Sequence, residues 1–190
     1  MKRIENIEDY RKRFTDSSSN NSRASEALRQ ALDIRKFEID MYWKRTTYFW
    51  TLIAATFAGF FVLQSKDSAS NLEAILLVCC IGLTFSVGWY FVNRGSKYWQ
   101  NNWERHVDLL EEEVVGPLYK TTIAQDSYGF FEIFSAFPFS VSRINQTLSL
   151  FIVAIWLSLV VKTAFSISWH PFYEHISPPD TFLSYFEISS

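Results

Sequence analysis

The chain has 190 residues, a net charge of −2 and a mean hydropathy of zero, so no global charge draws it to nucleic acid or anionic lipid. Its two cysteines, Cys79 and Cys80, are adjacent within an apolar stretch, where they read as small apolar side chains rather than a disulfide, redox or metal site. The average hides a strong pattern. Thr46 to Ser65, Ala74 to Asn93 and Ile144 to Val161 hold no charged residue over 20, 20 and 18 positions, the length and polarity needed to cross roughly 30 Å of hydrocarbon.

Residues 1–23 read as a flexible charged leader with no apolar region of the kind a cleaved signal needs. Within it, Ser17 to Ser22 is a polar SSSNNS stretch. Residues 24–45 contain neither Gly nor Pro, and Leu28, Leu32, Ile39 and Trp43 fall on one helical stripe. Nothing in the sequence stops this cytoplasmic helix before the first span at 46–65, so the two predict one rod of about 60 Å. A short external loop, 66–73, turns the chain into the second span, 74–93.

The second span is also predicted to continue as a helix over 94–117, until Gly116 and Pro117 end it. Trp99, Trp103, His106, Leu110 and Val114 lie on one face of that helix, and Gly95 is a point where it could bend. The expectation is a long antiparallel helix pair whose stripes meet. Residues 118–143 crowd Tyr128, Phe130, Phe131, Phe134, Phe137 and Phe139 together, which fits an interfacial segment at headgroup depth or a packing element between subunits. The third span, 144–161, leads to an external tail, 162–190, in which Pro178 and Pro179 argue against one continuous helix.

Charge orients the chain. Lys and Arg outnumber Asp and Glu by 11 to 8 over residues 1–45, whereas the tail from Lys162 holds 1 against 3. Lys44, Arg45, Arg94, Lys97 and Arg143 flank the spans on one side. The positive-inside rule therefore predicts a cytoplasmic N-terminus and an external C-terminus.

The spans contain no ionisable acid or base for a transport mechanism and no paired Gly or Pro breaks, so a secondary transporter is not expected. Small residues do recur at four-residue spacing, among them Ala54 and Ala58, Ala55 and Gly59, and Gly82 and Ser86. These allow close helix approach within a subunit or between subunits. Catalytic signals are thin. Glu104 and Asp108 lie two residues either side of His106 and point away from it on a helix. A paired Arg and His ribonuclease motif would need Arg at 99, 100 or 101, positions occupied by Trp99, Gln100 and Asn101. His170 and His175 make a poor metal site. No enzyme activity, cofactor or metal is expected.

Polar and aromatic residues instead concentrate where the spans end: Trp43 and Arg45; Asn93, Arg94, Lys97, Trp99, Asn102, Trp103 and His106; and Ser140, Ser142, Arg143 and Asn145. One reading is an interfacial belt that anchors Trp among headgroups and Arg or Lys on phosphates. The other is a polar network at the cytoplasmic mouth of a pore.

The segments MYWKRTTYFW, NRGSKYWQNNWERHVDLLEEEVVGPLY and PFSVSRINQ resemble the RipA-type family of small octameric bacterial membrane proteins, over roughly residues 25–165. A looser likeness is to SLATT-type effectors and to accessory membrane pore proteins of RNA-guided phage defence. The resemblance implies an all-α, ring-like homo-oligomer, an octamer, in the bacterial inner membrane. The expected function is a channel or pore-like ring with a cytoplasmic vestibule, acting in stress response or phage defence. Its partners would be other copies of itself, membrane lipid and a cytoplasmic protein, with no direct nucleic-acid binding. The alternatives are a scaffold that recruits a cytoplasmic partner through residues 94–143 and a HEPN-like ribonuclease built on His106.

Overall fold

The computed structural model describes residues 7–14, 22–65, 71–123 and 139–176. Among them are four helices and no strand: α1 (Ile7–Phe14), α2 (Ser22–Gln64), α3 (Leu72–Val114) and α4 (Val141–Ile176). Helices α2 and α3 each run for 43 residues without interruption. Three helices are long and apolar enough to cross a membrane, and the protein is all-α with three such spans. The polar stretch before α2, most of the 66–73 loop, the aromatic run from Tyr128 to Phe137 and the end of the tail lie outside the described residues.

The chain divides into two compact units. The first comprises residues 1–48 and 89–147, in which α2 and α3 run antiparallel. Water supplies the driving force for an ordinary apolar core in this unit. Tyr10, Leu28, Ala31, Val107 and Leu110 form its buried centre, with Phe14, Leu32 and Trp103 packed against them. Within the leader, residues 7–14 form α1. Tyr10 and Phe14 are four residues apart and give α1 one apolar edge, which the core takes up, while Glu8, Asp9, Lys12 and Arg13 are exposed.

The helix seam also departs from the expected stripes. The buried residues on α2 are Ala24, Leu28, Ala31, Tyr42 and Thr46, whereas Trp43 is 45% exposed. On α3 they are Trp89, Asn93, Ser96, Gln100, Val107, Leu110 and Glu111, and Trp99 is 38% exposed. Each seam is turned by about one residue from the apolar stripe, and the indole of Trp89 is buried as well as the small Ala31 and Ser96. The end of α3 is fixed by Gly116, whose φ of 82° suits glycine. Its N–H donates to the Glu111 carbonyl at 2.8 Å, and the buried Glu111 carboxylate accepts from the backbone N–H groups of Tyr119 and Lys120 at 2.7 and 3.2 Å.

The second unit comprises residues 49–88 and 148–190. Its centre is Trp156, fully buried with Ile75 and Cys79. Phe57 stacks on the indole at 4.3 Å and Phe60 meets it edge-on at 6.1 Å. Gly82 lies directly against the same indole, and Ser86 is fully buried, so this small-residue pair serves packing within one chain. The apolar windows of α2, α3 and α4 are 11%, 28% and 11% buried inside the chain, so most of their apolar surface is not covered by the chain itself. Helix α4 continues beyond Val161 to Ile176.

Candidate functional site

The residues at the ends of the charge-free segments meet within the first unit. Arg45 lies one position before the first segment, and its Nη1 donates to Ser96 Oγ on α3 at 3.2 Å. The same nitrogen lies 3.8 Å from Glu38, one helical face back along α2. Asn145, near the start of α4, donates through Nδ2 to the Tyr42 hydroxyl at 2.7 Å in a buried contact. These two bonds tie α2 to α3 and α2 to α4.

Between them lies an under-satisfied polar pair. Thr46 and Asn93 are 1% and 0% exposed. Thr46 Oγ1 and both amide atoms of Asn93 have no hydrogen-bond partner among the described residues. The Arg45–Ser96 bond and the Arg35–Glu104 pair at 3.9 Å set the antiparallel register, which brings Thr46 and Asn93 to nearly the same level. A buried amide without partners costs about 1–3 kcal/mol, so polarity is retained here at the expense of stability.

A groove of about 530 Å³ opens beside this layer, lined among others by Glu38, Arg45, Gly95, Ser96, Trp99 and Trp103. Gly95 faces open space, so the groove reaches the α3 backbone. Its walls offer one cation, one anion and two indoles.

His106 belongs to a separate arrangement. The Tyr10 hydroxyl and His106 Nδ1 are hydrogen-bonded at 2.7 Å, and the His106 ring packs 5.3 Å from Trp103. With the phenol as donor, Nδ1 accepts only in the neutral imidazole. Burial lowers the His106 pKa, which favours that form, and pushes the Tyr10 phenol up to about 12, which keeps its proton in place. Arg11 on α1 pairs with Glu112, and Lys120 reaches the same carboxylate at 2.7 Å. Together these hold α1 on α3.

The remaining border residues are more peripheral. Trp43 sits edge-on to Tyr42 at 5.5 Å, and Arg94 lies 5.7 Å over the Tyr90 ring. Lys97 approaches Glu104 at 3.8 Å. Asn102 is half-buried. Exposed Ser140 accepts the Ile144 N–H through its carbonyl at 3.1 Å. Ser142 Oγ lies 3.4 Å from Gln146 Nε2, and the exposed Arg143 accepts the Thr147 hydroxyl through its carbonyl at 3.0 Å. Sequence reasoning missed Tyr10, Glu38, Tyr42, Thr46 and Ser96. The signal for Ser96 was present, because Asn93, Ser96, Gln100 and Val107 follow one helical stripe once polar residues are allowed on it.

The model of the octameric membrane protein family, 8xMP, matches residues 25–165. The chain belongs to this family. The matched region takes in nearly all of α2, all of α3 and most of α4, together with every border residue described above, and leaves out α1. Neither a curated protein nor a solved structure matches the chain. Membership in the octameric membrane protein family and the three apolar helices together make this a membrane protein of an oligomeric family.

Proposed function

We propose that the protein assembles as a homo-octameric ring in a bacterial inner membrane and conducts through an opening whose mouth is formed by the polar border layer. The carrying observation is the low internal burial of the three spans, 11%, 28% and 11%, in a chain of an octameric family. That much apolar helix surface fits a structure in which neighbouring subunits cover each other. The excess of basic residues beside Arg45, Arg94 and Arg143 supports a cytoplasmic N-terminus and a periplasmic C-terminus. The narrower likeness to RipA-type proteins and the role in stress response or phage defence belong to the same proposal. So does the absence of catalysis, with His106 serving to hold α1 rather than to cleave RNA.

Mass measurement of the protein in mild detergent, followed by ion and dye flux from liposomes, tests this reading. An octamer with measurable flux supports it. A strict monomer refutes the ring, and an octamer in impermeable liposomes refutes conduction.

Exposed aromatic residues on the extensions beyond the spans, Phe37 at 56% and Tyr98 at 65%, favour a second reading as a scaffold that recruits a cytoplasmic protein. In that case Phe37→Ser with Tyr98→Ser abolishes recovery of a specific partner in pull-downs while leaving the oligomer intact. An unchanged set of recovered proteins refutes it.

A further inference from the structure

We propose that the groove between α2 and α3 in the first unit is a binding site for the headgroup of an aminoethyl phospholipid, phosphatidylethanolamine. This goes beyond the ring and its conduction, and holds whether or not the ring conducts.

The argument begins with charge. The groove carries a guanidinium and a carboxylate together, with Arg45 Nη1 3.8 Å from Glu38. Its two side-chain contacts described above both use Nη1 of a group that has five N–H donors. A phosphate is the natural acceptor for donors in that fork. Ser96 Oγ, at 3.2 Å from the same nitrogen, adds a hydroxyl at the same end of the groove. Glu38 decides which phosphate. Beside it, a headgroup with net negative charge meets repulsion, whereas a primary ammonium supplies N–H donors that the carboxylate accepts. Ethanolamine phosphate carries both charges one two-carbon link apart. Quaternary choline has the same charges but no N–H to donate, although Trp99 and Trp103 would attract it through their ring faces.

Position supplies the second argument. Arg45 is the last charged residue before Thr46 to Ser65, and Gly95 and Ser96 follow within three positions of the end of Ala74 to Asn93. The groove therefore lies at the end of two membrane-crossing segments, the level of lipid phosphates. Indoles in its wall are the side chains that favour that level. Because Gly95 meets nothing within 4 Å, the phosphate can approach the helix without a side chain in the way.

The test uses the full chain, purified and delipidated in detergent. It is mixed in turn with phosphatidylethanolamine, phosphatidylcholine and phosphatidylglycerol, and the lipids retained per chain are counted by native mass spectrometry. The expected result is at least tenfold greater retention of phosphatidylethanolamine than of either other lipid. Glu38→Gln should bring phosphatidylethanolamine and phosphatidylcholine to within about twofold, and Arg45→Gln should lose both. Gly95→Leu fills the groove without touching either charge and should abolish retention with no fall in melting temperature. Should Gly95→Leu misassemble, the volume-conserving Glu38→Gln carries the test alone.

Equal retention of the three lipids overturns the proposal, as does phosphatidylethanolamine retention unchanged by Glu38→Gln. Soluble phosphoethanolamine that displaces the lipid at equal concentration overturns the lipid as occupant, making the site one for a free metabolite. Exclusion of every lipid by the delipidated oligomer, because a second copy covers the groove, overturns it too.

Discussion

Gly82→Ala offers a sharp test of how the second unit is packed. A Cβ at position 82 would lie 2.4, 2.5 and 2.6 Å from Cε2, Cδ2 and Cζ2 of Trp156. Carbon atoms rest at about 3.5–4.0 Å, so the indole must retreat by about 1 Å or more. It has little room, because it is fully buried and stacked on Phe57 at 4.3 Å. Overpacking of a rigid ring belongs at the upper end of the usual penalty, about 3 kcal/mol. Alanine returns about 1 kcal/mol through its higher helix propensity. The net loss of about 2 kcal/mol corresponds to a fall of about 4–8 °C in melting temperature for a chain of this size. Thermal unfolding in detergent, followed by tryptophan fluorescence or by loss of the assembled peak in size exclusion, reads it directly. Trp156→Phe in the same chain should recover part of the loss, giving a coupling of about 1 kcal/mol or more. Gly88→Ala is the control, since its nearest contact, Phe49 Cε1 at 3.3 Å, needs only a small adjustment. An unchanged melting temperature for Gly82→Ala, or strict additivity with Trp156→Phe, refutes the packing argument.

Docking of α1 should depend on pH through His106. Its folded pKa is lowered by burial from an ordinary value of 6.5, so the unfolded state binds more protons just below that value and stability rises with pH. The His106 contribution is therefore complete above about pH 6.5 and is lost as pH falls below it. Hydrogen exchange over residues 7–14, corrected for the intrinsic rate, should show loss of protection between neutral and mildly acidic pH. Tyr10→Phe should weaken protection at all pH values and flatten this dependence. Glu111→Gln leaves one acceptor oxygen where two backbone N–H groups converge, at 2.7 and 3.2 Å. A loss of about 1–3 kcal/mol in thermal unfolding is expected. Asn93→Leu removes an amide with neither end paired among the described residues, so a gain of about 1 kcal/mol, or about 2–4 °C, is expected. A fall in melting temperature would show that the assembled protein satisfies that amide.

The three spans were legible because charge inside hydrocarbon is costly enough to be nearly absent there. The long helices were legible for a related reason: no Gly or Pro interrupts residues 24–45, and Gly116 with Pro117 is an unambiguous stop. What failed was rotation. An apolar scan places Trp43 and Trp99 on the inner stripes, yet the seam prefers Ala31, Tyr42, Thr46 and Ser96. Hydrophobicity ranks all three tryptophans alike, yet Trp89 is buried while Trp43 and Trp99 are not, and Ser96 is buried for its place on the helix rather than its hydropathy. The contacts that border residues make were not legible, since Arg45–Ser96 and Tyr42–Asn145 depend on about 100° of helix rotation that no single-residue property encodes. Helix α1 was hidden by its own charges, eight residues in which Tyr10 and Phe14 do the packing.

The same two helices hold together by different means along their length, and the solvent explains the order. Where water surrounds them, apolar burial drives association, and Leu28, Val107 and Leu110 close over Tyr10. Lipid tails give no such drive, because they are as apolar as leucine. There cohesion has to come from contact, and the second unit supplies it by fitting Trp156 into the space left by Gly82. Neither means serves well at the border, where one side of a residue is wet and the other is not. Hydrogen bonds between side chains remain effective in both settings, which accounts for Arg45–Ser96 and Tyr42–Asn145 appearing there. Asn93 and Thr46 do not fit that account, since their polar atoms are buried without such partners among the described residues. Polarity kept at a cost in stability is a mark of function, and it places the interest of this protein in the layer where its spans end.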